Sequence, residues 1–142
     1  MIGYHFVGAT LRDGRPVPAD GVWLVHDGPL VLCESGLHAS PTPWEALQYA
    51  PGSVLCEVEL AGEIVTDADK VVAARRRIIR RVDLNADLRR FARDEASRVL
   101  HLWDAPEVVR QYLATGDEAL MAAARAAARA ATWAATWAAA RD

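Results

Sequence analysis

Apolar and polar positions along the chain follow one period up to about residue 83 and another after it. In the first part, short apolar runs alternate with turn formers, the pattern of strands. Gly3-Tyr4-His5-Phe6-Val7 predicts a first strand, and the Asp13-Gly14 pair suits a tight hairpin turn. Val22–Val25 and Leu30–Cys33 predict adjacent strands separated by the turn-rich His26-Asp27-Gly28-Pro29. A short helix is predicted over Pro43–Ala50, with Thr42 as N-cap, Pro43 in the first helical position and Pro51 as its stop. Val54–Leu60 alternates as a strand with one wet face, and Gly62–Val65 extends the pairing. In Lys70–Val82 the β-branched residues favour a strand while the arginines between them are neutral to helix, and the second part is read as strand.

From Asn85 the spacing becomes three and four, with Leu88, Phe91, Ala92, Ala96, Val99, Leu100 and Trp103 forming one stripe of a helix capped by Asn85. Asp104-Ala105-Pro106-Glu107 opens a second helix that turns Val108, Val109, Tyr112 and Leu113 inward, and Thr115-Gly116-Asp117-Glu118 combines a stop with a new cap. The last helix, Glu118 to Arg141, contains fourteen alanines, and its large residues Arg125, Arg129, Trp133, Trp137 and Arg141 recur every four positions. Such a helix supplies little burial of its own, so its two tryptophans need a partner surface. Either the helix folds back on the sheet or it meets a second chain. The whole reads as an α+β protein of one domain, residues 1–142. Its antiparallel β-rich part (1–83) carries one short helix, and its helical part (84–142) ends in the long Ala-rich helix.

Charge alters this picture in one place. Residues 1 to 69 hold two arginines against ten acids, whereas residues 70 to 81 hold six basic residues and no acid. The basic run either meets nucleic acid or is neutralised by the protein's own carboxylates, and a net charge of −3 opposes polyanion binding. With no aromatic residue inside it, the run lacks the stacking platform of single-strand binders. No basic leader precedes an apolar segment, and the Ala/Trp stretch is interrupted by arginines, so neither export nor membrane insertion is expected. Cys33 and Cys56 lie in separate apolar runs, as reduced core residues of a cytoplasmic protein do.

Candidate chemistry is sparse. His5, His26, His38 and His101 share no metal-ligand spacing with one another or with Cys or Asp, so no metal site is expected. Phosphate-loop, dinucleotide and nucleophile-elbow motifs are lacking. The richest stretch is Gly36-Leu37-His38-Ala39-Ser40, followed by the Thr42-capped helix with Tyr49 and by Leu55-Cys56-Glu57-Val58. Here an imidazole stands beside free backbone donors, a place either for a polar ligand or for a satisfied structural histidine.

These residues, with Tyr4-His5-Phe6 upstream, resemble an uncharacterised family common in bacteriophages and their hosts, which carries a Gly-[Phe/Leu]-His-x-[Cys/Ser] motif, a proline-led helix ending in Tyr and a Val-x-Val strand. The resemblance covers about the first 83 residues. The same stretch is distantly similar to the second conserved block of ADP-ribosyltransferases. That similarity would put His38 where the superfamily has its nicotinamide-stacking Tyr, with Ala39-Ser40 after it and Ala46 and Tyr49 on the helix. It would give His5 the contact to the NAD ribose and would make Glu57 or Glu59 the activating acid. No late Glu matches the superfamily's catalytic position, so the similarity implies a degenerate, non-catalytic version, and no catalytic residue is assigned.

The expected protein is therefore a phage- or prophage-type accessory protein that binds a ligand or host protein. His5, His38, Ser40, Tyr49 and Glu57 are its ligand residues, and Arg125, Arg129, Trp133 and Trp137 its contacts for self-association. It needs no cofactor. An NAD-using transferase is the alternative, and nucleic-acid binding through Arg75, Arg76, Arg77, Arg80 and Arg81 the second.

Overall fold

In a computed structural model that describes residues 1–139, with residue 138 described by its backbone alone, the chain divides into two compact units, the second beginning at Ala86. That division falls two residues beyond the change of hydrophobic period. The chain has the expected α+β composition, with an antiparallel sheet first and helices after it.

Unit 1 contains β1 (Ile2–Val7), β2 (Leu24–Val25), β3 (Leu37–Ala39), α1 (Pro43–Leu47), β4 (Val54–Thr66) and β5 (Val71–Asp83). Every strand pairing is antiparallel, in the order β1-β4-β5-β2, with β3 pairing β5 farther along. Tyr4 and Ser40 exchange two backbone hydrogen bonds of 2.8 Å, which joins the outer edge of β1 to the residue after β3. The sheet thus curls back on itself. Inside it pack Val7, Ala39, Cys56, Val58, Leu60, Val71, Ala73 and Ile78. Each fully buried Val or Leu of this set contributes about 1.5–3 kcal/mol relative to exposure.

Two sequence expectations change here. β5 is strand along its whole length, because Val71, Val72 and Ala73 are fully buried against β3 and β4. Leu30–Cys33, by contrast, is no strand. Val31 and Ser35 exchange backbone hydrogen bonds of 2.8 Å, and Cys33 between them takes a left-handed φ of 67°. The apolar run therefore closes into a tight turn, and Cys33 is exposed while Cys56 is buried. Gly36 follows at φ +115°, where a Cβ would stand 2.3 Å from Val72 Cγ2, so only glycine brings the chain out of this turn against β5. α1 starts as predicted: Thr42 Oγ1 accepts from Glu45 N–H at 3.2 Å while Glu45 Oε2 accepts from Thr42 N–H at 3.0 Å. It ends at Leu47, three residues short of Ala50.

Unit 2 contains α2 (Asn85–Arg98), a 3-10 turn (Leu100–Leu102), α3 (Glu107–Thr115) and α4 (Glu118–Ala139). Asn85 is the first helical residue rather than the cap, its N–H being accepted by Asp83 Oδ1 at 2.9 Å. The α2 stripe buries none of its residues, and the helix stops before Val99. α3 ends at Gly116, whose φ of +69° closes a 2.8 Å bond from its N–H to Tyr112 O. α3 and α4 share a small core of Ala105, Val109 and Ala124, flanked by Val108, Tyr112 and Leu113 as predicted. Arg125, Arg129, Trp133 and Trp137 are exposed along α4, and Arg141 lies outside the described residues. No helix among the described residues is long and apolar enough to cross a membrane.

Candidate functional site

Directly opposed residues of neighbouring strands share a face of the sheet. Cys56, Val58 and Leu60 of β4 face the interior, so the register puts His5, opposite Cys56, and Arg76, opposite Leu60, on that same inward side. Glu57 and Glu59 leave from the other side. Around the inward side, β1, the 8–15 loop, the 33–34 turn, β3 and the end of α1 enclose a cleft of about 1040 Å³.

Of the predicted ligand residues, His5, His38, Ser40 and Tyr49 line this cleft. Ser40 is buried and carries the backbone bridge to Tyr4. His5 is half-buried, its ring makes no hydrogen bond among the described residues, and its pKa falls to about 3 because burial penalises the imidazolium, with Arg76 and His38 adding to the effect. The ring is therefore neutral at physiological pH. His38 faces the cleft with both nitrogens already engaged: Nε2 accepts from Cys33 N–H at 2.9 Å, and Nδ1–H donates to Gly36 O at 3.2 Å. These bonds fix its tautomer and fasten the turn, and burial lowers its pKa. Tyr49 is about half exposed, and its hydroxyl donates to Asp69 Oδ2 at 2.5 Å.

Glu57 is not part of the cleft. Its carboxylate accepts from Arg80 Nε at 2.8 Å beside a separate hollow of about 280 Å³ formed with Tyr4, Leu55 and Arg81. The rest of the basic run is engaged in the same manner. Arg77 Nε donates to Glu59 at 2.7 Å, Arg81 Nε donates to Asp20 at 2.8 Å, and Arg75 and Arg77 lie 4.6 and 4.8 Å from the centre of the Trp23 ring. Lys70, Arg77, Arg80 and Arg81 thus each meet a carboxylate of unit 1, and Arg75 meets a ring.

Arg76 is the exception, and sequence reasoning missed it. It is 6 % exposed, lines the cleft, donates Nη1–H to His38 O, and has no carboxylate within ion-pair distance. Burial lowers its pKa to about 10, so it stays charged. The available signal was the strand period: Arg76 stands two residues before Ile78 and so shares its buried face. Lys70, Arg12 and Glu34 also reach the cleft wall unanticipated. Lys70 Nζ lies 3.5 Å from Cys33 Sγ and 5.3 Å from the Tyr49 ring centre. Among the described residues no group of three or more His, Cys, Asp or Glu is placed to hold a metal ion.

A family model described as a domain of unknown function, DUF7666, matches residues 1–90. The chain belongs to this family. The DUF7666 segment spans all of unit 1, including every residue of the cleft. Neither the curated proteins nor the solved structures contain a match to the chain.

Proposed function

We propose that the DUF7666 unit is a non-catalytic ligand-binding module, and that the chain self-associates through its C-terminal helix. The observation that carries the first part is the convergence of His5, Ser40 and the buried Arg76 on one large cleft. A volume of about 1040 Å³ is ample for a small organic molecule. The apolar floor, with Phe6, Val7 and Ala39, would hold its body, and the few polar groups would set its orientation.

The non-catalytic reading has its own support. A hydroxyl–imidazole pair exists, Ser35 Oγ at 3.1 Å from His26 Nε2, but it lies outside the cleft. An NAD-using transferase has in its favour that His5 and His38 share one cleft. Against it, Glu57 and Glu59 are held by Arg80 and Arg77, and Glu34 and Asp13 are the carboxylates at the cleft. The accessory role of phage or prophage type rests on the resemblance of Gly36-Leu37-His38-Ala39-Ser40 to the motif of the phage-associated family. For self-association the support is that Trp133 and Trp137 stand 67 % and 60 % exposed on a helix that is otherwise mostly alanine.

Cys33 gives a convenient readout, being exposed at the cleft wall while Cys56 is buried. In a screen of small metabolites that includes NAD, at least one compound is expected both to raise the melting temperature and to slow Cys33 alkylation. No such compound in a broad set would end the ligand-binding reading, and consumption of labelled NAD would replace it with the transferase. Light scattering is expected to show a defined oligomer that becomes monomeric in the Trp133→Ala/Trp137→Ala variant. A mass unaltered by the double substitution would remove the assembly role of α4.

A further inference from the structure

A guanidinium cannot shed its charge at neutral pH, and burying it without a counter-ion is costly unless something else supplies one. In unit 1 the neighbouring arginines of the same strand each meet a carboxylate or an aromatic ring, and Arg76 meets neither. Its one bond, to the His38 carbonyl, uses a single donor of five. Every side-chain nitrogen or oxygen shut off from solvent among the described residues has a hydrogen-bond partner, so the remaining Arg76 donors reach solvent, and Arg76 lines the cleft.

The rest of the wall agrees in sign. Arg12, Arg15 and Lys70 join Arg76 at the cleft against Asp13 and Glu34; Arg15 pairs with Asp13 at 2.6 Å and Lys70 with Asp69 at 3.5 Å, which leaves Arg12 and Arg76 against Glu34. His5 adds a ring with no hydrogen-bond partner, beside which a bound negative charge would favour the protonated form. Apolar surface from Phe6, Val7, Leu11 and Ala39 makes the cleft far roomier than an inorganic ion needs.

We infer that the cleft binds a small organic anion, an apolar body ending in a phosphate or a carboxylate that takes the open fork of Arg76. This rests on the ligand-binding reading above and narrows it to a chemical class. His5 stands as the second polar contact, and His38 acts as a positioning residue: its carbonyl holds one arm of the guanidinium, leaving the other arm for the ligand.

The test uses the full chain and three probes of similar shape: phenyl phosphate, benzoate and the neutral benzyl alcohol. The Nε–H signal of Arg76, assigned by its loss in Arg76→Lys, is expected to move on adding either anion but not the alcohol, and the anions are expected to slow Cys33 alkylation. The tighter of the two anions then identifies the headgroup. Arg76→Lys keeps the charge but loses the two-pronged geometry, and should weaken the anion about 10- to 100-fold. If benzyl alcohol protects Cys33 as well as the anions do and the Arg76 signal stays fixed, the anion assignment is wrong while a ligand cleft remains. If none of the probes protects Cys33 or moves that signal, the assignment also falls, and the broader metabolite screen decides the ligand-binding reading independently. Because Cys33 protection is read in the wild-type chain alone, that arm of the test does not depend on a variant folding.

Discussion

The two units are held together by different means. In unit 1 a curled sheet buries a contiguous set of Val, Leu, Ile and Cys side chains, and Glu57 and Glu59 of β4 pair with Arg80 and Arg77 of β5. In unit 2 only Ala105, Val109 and Ala124 are buried among the described residues, α2 contributes nothing to the interior, and Phe91, Val99, Leu102, Trp133 and Trp137 stay largely exposed. Alanine makes an excellent helix and a poor core: it loses no side-chain entropy on folding, but each methyl removes little surface from water. Unit 1 therefore draws its stability from tertiary burial, and unit 2 draws more from local propensity and capping. The unit with the larger buried core is also the one that accommodates a large cleft and a buried unpaired cation.

This contrast can be broken most forcefully at the centre of the sheet. Leu60→Ala removes a side chain that is 1 % exposed and should cost about 2–5 kcal/mol, read as lost amide-exchange protection across β1, β4 and β5. A loss shared equally by α3 and α4 would contradict the separate sources of stability. Next in size is acid. The pKa of His5 is about 3 in the folded chain against 6.5 for the free side chain, so between those values the unfolded chain binds more protons and stability rises with pH. Acidifying from pH 6.5 to about pH 4.5 should therefore remove about 2–3 kcal/mol that His5→Asn retains, measured by denaturant unfolding of both proteins at both pH values. Parallel pH profiles would show that His5 is not desolvated. In unit 2, Val109→Ala should cost about 1–2 kcal/mol, less than Leu60→Ala because its surroundings are small residues that collapse easily. The smallest effect is expected for Arg80→Ala, whose pairing with Glu57 leaves the arginine side chain 78 % exposed, a change within about 1 kcal/mol.

Much of the architecture was legible because it is written in local signals. The change of period at residue 84, the Thr42 cap, the Gly116 stop and the inward set Val108, Val109, Tyr112 and Leu113 depend on neighbours within one turn or one strand. What escaped depends on contacts distant in sequence. Leu30–Cys33 has strand composition, but the imidazole of His38 and the glycine at 36 stabilise a left-handed Cys33 and close the run into a turn. The cleft was half legible. His5, His38, Ser40 and Tyr49 line one cleft, yet Glu57 leaves from the opposite face, since one step along a strand reverses a side chain's direction. Arg76 was hidden among five arginines of apparently equal standing; its place two residues before Ile78 hints at the buried face, and the pairing of β4 with β5 settles it.

The Tyr4–Ser40 bridge has a consequence for how this chain meets its own copies. It occupies the outer ladder of β1 at its middle, while β2, β3 and the Gly21 N–H bonded to Ile78 O cover much of the free side of β5. A foreign strand would find few consecutive donors and acceptors to add to, which protects a valine-rich sheet from edge-to-edge aggregation and from fibril growth.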